Sequence, residues 1–331
     1  MKHHQFPFKN PEQSDPLGRQ PSPNDPLPSW RDGATKQAIV AFVESVTDST
    51  SKDYVPLSER IATLDNDGTL WSEKPLYFQV LFAFDEVKRR ASDHPDWKDR
   101  HGFKELLEGG IDAVKENDHE GIMAIVEATH TGVSTDQFTA NVKAWLATAR
   151  HPGTHRPYTE MVFQPMLELL DYLRANEFKT YIVSGGEVTF MRAWSEDVYG
   201  IGPEQVIGTT FINRYHDNNG EPEIVRTVIM AHHNDGPGKP VGIESIIGRR
   251  PIMAIGNGDG DLEMLQWTAA GEGPRFMGVI HHTDAKREWA YDRKALIGKL
   301  DETLDEAIAN NWTVVDMQRD WARIYPENSD K

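Results

Sequence analysis

The chain has 331 residues, 38% hydrophobic and 9% aromatic with nine tryptophans, which is enough for one large domain or two ordinary ones and excludes disorder for most of its length. A formal net charge of −17, from 52 acidic and 35 basic residues, argues against non-specific binding to nucleic acid or an anionic membrane, and no apolar run is long enough to span a bilayer. Cysteine is absent, so disulfides, thiolate nucleophiles and Cys-ligated zinc are excluded.

Residues 1–30 are rich in proline and polar residues and contain no apolar h-region. They read as a poorly ordered lead-in rather than a signal peptide. The compartment stays open, cytoplasmic by default and periplasmic had an upstream segment been removed. A helix is expected over 35–47. Arg60 to Leu64 is short, apolar and partly β-branched, a buried strand that runs straight into "DNDGTL". From 76 to 150 the pattern is helical with almost no strand signal. Leu76, Val80, Ala83, Phe84 and Val87 share one face and Phe138, Val142, Trp145 and Leu146 another, with Ser134 and Gln137 placed as a capping box. Such stripes are ordinary core. The turn-rich "ARHPGTHRP", 149–157, marks a boundary.

Beyond it helix and strand alternate. Pro165 opens a helix with Met166, Leu169, Leu170 and Leu173 on one face. "FKTYIVSGG" is a strand and 187–198 a helix. Strand-like pieces follow at 205–212 and 223–230, then a short helix at 240–248. "PIMAIGNGDGD" is a strand entering a loop and "RFMGVIHH" another strand, while a helix near 301–311 and the final Trp-containing segment pack on the core. This alternation predicts an α/β fold with a doubly wound parallel, Rossmann-like sheet, which binds ligands beyond the C-terminal strand ends. The expected division is an α/β core of 31–75 with 158–331, and an inserted all-helical cap of 76–157.

Three strand ends carry unusual polar groups: Asp65 and Asp67, Ser184, and Asn257 through Asp261. In a parallel sheet they converge on one edge. Carboxylate and carbonyl oxygens without His or Cys suit a hard cation, and Mg²⁺ prefers a few carboxylates plus substrate phosphate. Calcium-loop spacing fails. With Gly68 sixth, Thr63 would be first and Lys74 twelfth; with Gly260 sixth, Ile255 and Gln266 would be. "GNGDGD" also fails as a dinucleotide fingerprint, because Asp261 stands where the last Gly belongs. An aspartate can attack phosphorus once repulsion is relieved, since each like-charge pair at about 4 Å and an effective dielectric of ~20 costs ~4 kcal/mol. A divalent metal removes that penalty, and a second carboxyl two residues on can trade the proton. Ser184, Gly185 and Gly186 would offer phosphate donors at the start of a helix, and Lys239, the only lysine between Ser184 and Asp261, would supply positive charge. The bland alternatives are acidic surface turns, a tight Ser-Gly-Gly turn and a solvated lysine.

In this order, "DNDGTL", "IVSGG", Lys239 in "GKPVGI" and "GNGDGD" resemble the four motifs of the haloacid dehalogenase superfamily, in its phosphoserine-phosphatase-like branch with a C1 helical cap, over roughly residues 55–290. The resemblance implies a hydrolase acting on a small phosphorylated molecule. Asp65 would be nucleophile and metal ligand. Asp67 would be general acid/base and give its backbone carbonyl to Mg²⁺. Gly68, Thr69, Ser184, Gly185, Gly186 and Lys239 would hold the phosphoryl group. The family's fourth-motif aspartate is here Asn257, so the third metal ligand stays open between Asn257, Asp259 and Asp261. A phosphotransferase, a phosphonatase and a non-catalytic binder on the same scaffold are the alternatives. Trp71 and Glu73 would lie near the pocket mouth, facing a cationic or sugar-like leaving group or, as favoured, with Trp71 packed in the cap hinge. His281 and His282 would end a strand near the same edge, and the oligomeric state is not legible.

Overall fold

The computed structural model describes residues 25–114 and 118–327. In chain order the elements are α1 (Ala34–Thr47), β1 (Ile61–Leu64), α2 (Phe78–Arg90), α3 (Phe103–Gly109), α4 (His119–His130), α5 (Thr135–Thr148), α6 (Gln164–Ala175), β2 (Lys179–Glu187), α7 (Val188–Arg192), α8 (Ser195–Tyr199), β3 (Val206–Asn218), β4 (Glu221–His232), α9 (Gly238–Ile246), β5 (Met253–Gly256), α10 (Leu262–Ala269), β6 (Phe276–His281), α11 (Glu302–Ala309), β7 (Thr313–Asp316) and α12 (Met317–Asp320).

The seven strands form one sheet in the order β4-β3-β2-β1-β5-β6-β7. β1 is central and buried along its whole length, as its apolar, partly β-branched sequence requires. It pairs in parallel with β2 (Leu64 opposite Ile182) and with β5 (Leu64 opposite Ile255). The ends of β1, β2 and β5 therefore lie side by side, and the three polar motifs follow from those ends. The Rossmann-like α/β class expected from the sequence is the one observed.

Two details depart from expectation. The pieces near 205–212 and 223–230 are longer and form an antiparallel hairpin, β3–β4. Asn219 and Gly220, both at positive φ, supply the two-residue turn that matches strand twist. The helix expected over 187–198 is split into α7 and α8. The break falls at Trp194, whose indole stacks on Trp71 with ring centroids 4.1 Å apart.

Among the described residues, everything between β1 and β2 is helix or loop. Ser134 caps α5 by accepting from the Gln137 amide at 3.1 Å, while the Gln137 side chain goes to Asn141 instead of closing the box. The inserted helices have no separate core. Phe78, Phe82, Phe138 and Trp145 share one apolar cluster with Leu64, Met166 and Phe190, and Phe82 meets Phe190 of α7 at 5.6 Å. Arg226 of β4 fastens the hairpin to this insertion. Its Nε donates to the His130 carbonyl at 2.6 Å, and its guanidinium lies 4.1 Å over the Phe138 ring. Its Nη2 is 3.1 Å from Glu187 Oε1, near enough for an ion pair but not aligned as a hydrogen bond.

At the chain ends, the expectation for residues 1–24 lies outside the described residues. Residues 25–30 of that lead-in are packed, with Trp30 set edge-on to Trp321 at 5.8 Å. The final segment contributes an edge strand, β7, as well as packing. No helix among the described residues is long and apolar enough to cross a membrane.

Candidate active site

At the end of β1 the Asp65 amide still donates to Ile255 of β5, at 2.9 Å. The chain then closes a tight loop in which the amides of Thr69, Leu70 and Trp71 all turn to the Asn66 carbonyl. Gly68 sits at φ 78°, a left-handed conformation that glycine adopts at no steric cost, and a Cβ there would fall 2.1 Å from Asn257 Nδ2. The loop returns the chain so that Trp71 Nε1 donates to Asp67 Oδ1 at 2.7 Å. Trp71 is fully buried between Phe78 and Trp194, so its indole orients Asp67 and packs the start of the insertion.

Ser184 lies at the end of β2, but the strand does not turn into a helix there. It continues through Gly185 and Gly186 to Glu187, with an irregularity between Val183 and Glu187. The reason is lateral pairing: Glu187 aligns with Thr209 of β3, and Thr209 Oγ1 donates to the Gly185 carbonyl at 2.7 Å. Ser184 Oγ accepts from the Gly186 amide at 3.1 Å.

Lys239 brings the segments together. It enters from the first turn of α9 and is 2% exposed. Its Nζ lies 2.6 Å from Asp65 Oδ1, 2.5 Å from Asp261 Oδ1 and 2.9 Å from the Val183 carbonyl. Asp261 is engaged on its other side too, since Oδ2 accepts the amides of Asn257 and Gly258 at 2.9 and 3.1 Å. One ammonium thus serves two carboxylates. Burial and the Asp261 charge push Asp65 well above the usual carboxylate range despite Lys239. Burial alone would lower Lys239, yet Asp261 and Asp65 hold it above its ordinary value. Burial raises Asp67 to about 6 against the opposing Trp71 hydrogen bond.

Asn257 is fixed from both ends of its amide. Oδ1 accepts from Thr69 Oγ1 at 2.9 Å, and Nδ2 donates at 2.9 Å to Glu73 Oε1, which also accepts from Tyr291 OH at 2.7 Å. Burial raises Glu73 to about 8. Asp259 accepts the amides of Asp301 and Thr303. Asp65, Asp67, Glu73, Ser184, Gly185, Gly186, Lys239 and Asn257 through Asp261 all line one cleft of about 530 Å³. Thr69 is fully buried behind it, and neither Gly68 nor Thr69 is among the lining residues.

The sequence reading left His282 unassigned, and a histidine at a strand end carries no signal by itself. In the fold it is buried. Nε2 lies 2.7 Å from the Gly68 carbonyl, Nδ1 lies 3.0 Å from Glu288 Oε2, and the ring stacks on Tyr291. Both nitrogens face acceptors, so both donate and the ring is an imidazolium. Burial alone would lower its pKa, but the Glu288 charge and hydrogen bond raise it. Its stabilising effect is therefore complete below the unfolded value of about 6.5 and is lost as pH rises through the higher folded value. His282→Gln is expected to cost about 1–3 kcal/mol at about pH 6. The gap from the parent in thermal melts should narrow as pH rises above about 6.5; a gap independent of pH would refute the charged state. His281 lies further out, 3.5 Å from Asp292.

The donor set fits a hard divalent cation. Asp65, Asp67 and Glu73 crowd the inner cleft together with Asp261, and Lys239 is the one buried ammonium among the lining residues. Among the described residues no three His, Cys, Asp or Glu side chains gather closely enough to hold a metal by themselves. Mg²⁺ here would rely on the Asp65 carboxylate, on neutral oxygens such as the Asp67 backbone carbonyl and that of Asn257, which keeps a second lone pair, and on substrate phosphate.

Among known proteins, the haloacid dehalogenase-like hydrolase family matches residues 62–266. No curated protein matches the chain. Similar solved structures include a conserved protein of unknown function from Anaerococcus prevotii DSM 20548, with 15% identity, 84% of this chain and 90% of that chain covered, and TM-score 0.48. Another is a protein of unknown function from Bordetella pertussis Tohama I, at 14% identity, 78% and 99% coverage and TM-score 0.49. A third is a probable phosphoserine phosphatase from Vibrio cholerae in unliganded form, at 14% identity, 78% and 68% coverage and TM-score 0.35. None of these three likenesses bears on function. The family match runs from β1 to α10 and takes in Asp65, Asp67, Ser184, Lys239 and Asp261; the chain belongs to the haloacid dehalogenase-like hydrolases.

Proposed function

We propose that the chain is a Mg²⁺-dependent phosphatase that hydrolyses a small-molecule phosphomonoester through an aspartyl-phosphate. The observation that carries this reading is the buried ammonium of Lys239, set between Asp65 and Asp261 beside the end of β2. In the first step a carboxylate oxygen of Asp65 bonds to phosphorus, the ester P–O bond breaks, and Asp67 gives its proton to the departing alcohol. In the second, Asp67 takes a proton from water as the water oxygen bonds to phosphorus. The P–O bond to Asp65 then breaks, freeing inorganic phosphate. A carboxyl pushed to about 6 populates both protonation states near neutrality, which suits this exchange. Ser184, Gly185, Gly186 and Lys239 hold the phosphoryl oxygens.

Asp65, the backbone carbonyl of Asp67 and Asn257 would hold Mg²⁺, which when bound offsets repulsion between carboxylate and phosphoryl oxygens. With both oxygens occupied, Asp261 holds Lys239 and its own loop in place, and Gly68 and Thr69 support the first-motif loop from behind. The test is phosphate release from a panel of phosphate esters with Mg²⁺ and with chelator. Release that needs Mg²⁺ is expected; no release from any ester with Mg²⁺ present overturns the reading. Adding an alcohol acceptor separates hydrolysis from transfer.

A further inference from the structure

The cleft has two unlike faces. One is made of the strand ends and their loops, with Asp65, Ser184 and Lys239 at its base. The other is apolar and is built from four separate parts of the chain: Val80 of α2, Ile122 and Val126 of α4, Phe211 and Met230 of the hairpin, and Leu296 of the loop after β6. Several of these side chains face water. Met230 is 41% exposed and Leu296 is 68% exposed. A phosphoryl group anchored at Lys239 fills only a small part of about 530 Å³, and a compact polar alcohol would leave this wall wet. Apolar surface gathered from four elements onto one cleft gains most from a ligand that covers it. His233, Asp235 and Lys299 also line the cleft, but Asp235 sits beside Gly185 and Gly260 and Lys299 pairs with Asp259, so these two polar groups belong to the strand-end face and leave the apolar wall to the rest of the ligand.

Building on the phosphatase reading, we infer that the substrate is the phosphate monoester of an apolar or amphipathic alcohol, its hydrocarbon portion lying along the wall of Val80, Ile122, Val126, Phe211, Met230 and Leu296. The apolar body supplies binding, and the phosphoryl end is placed by Lys239 and Ser184 against Asp65. The inserted helices and the hairpin together read the alcohol, while the strand ends read the phosphate.

The experiment is kcat/KM for the linear alkyl phosphates from methyl to hexyl, beside the compact polar esters phosphoserine and glycerol phosphate. A rise of about two- to fourfold per added methylene is expected, following the free energy of burying hydrocarbon. Both polar esters should fall at least about tenfold below hexyl phosphate. Met230→Asp and Leu296→Asp alter exposed side chains that the fold tolerates, and each should flatten the dependence on chain length. A flat or falling series, a preference for the polar esters, or a full slope in both variants would overturn the inference while leaving the phosphatase reading intact. If no ester of either kind releases phosphate, that reading itself fails and the substrate inference falls with it.

Discussion

Asp65→Asn should lower phosphate release by at least about a thousandfold and melt at the same temperature as the parent or higher. The loss follows from chemistry, because a neutral amide at the end of β1 cannot form the acyl phosphate. The retained stability follows from electrostatics. Asp65 shares the Lys239 ammonium with Asp261, and burial with the Asp261 charge raises its pKa well above the usual range. A carboxylate raised in this way weakens the fold when ionised, and an amide of the same shape removes that strain. Phosphate release and thermal melts on one sample check both halves. Substantial remaining activity would refute the nucleophile, and a large drop in melting temperature would refute the charge argument.

The reverse substitution strategy should have the opposite effect on stability. Lys239→Met removes the ammonium and leaves Asp65 and Asp261 buried with no counter-charge, and the Val183 carbonyl loses its donor. Breaking a buried ion pair from one side costs about 3–5 kcal/mol, read as a shift in urea midpoint at constant slope. Activity should vanish with it. Adding Asp65→Asn and Asp261→Asn to that variant removes the stranded charges and should recover most of the stability without the activity, because an uncharged buried cluster avoids the desolvation cost. A Lys239→Met protein as stable as the parent would show that the three groups do not depend on one another as their geometry indicates.

Much of this arrangement was legible in the sequence for a simple physical reason. Strand ends in a parallel sheet are placed by the sheet itself, so Asp65, Ser184 and Asp261 could be assigned to one edge from the alternation of helix and strand alone. Lys239 was harder, since a lone lysine before a helix carries no signal unless the edge is already in view. What stayed hidden depended on tertiary contact. Nothing local tells that Trp71 bonds Asp67, that Glu73 and Thr69 clamp Asn257, or that His282 reaches back to the Gly68 carbonyl. The extension of β2 past Ser184 was missed because pairing with Thr209 overrides the turn signal of two glycines. The hairpin turn at Asn219 and Gly220 was readable from its residue types, but the alternation pattern obscured it.

The apolar cluster shared between the inserted helices and the sheet, with Arg226 fastening the hairpin to both, has a bearing on how traffic enters and leaves. A rigid lid swinging on a hinge would tear that cluster open and expose aromatic surface to water. An exchange route that leaves the cluster intact would run between α4 and the hairpin, both of which line the cleft.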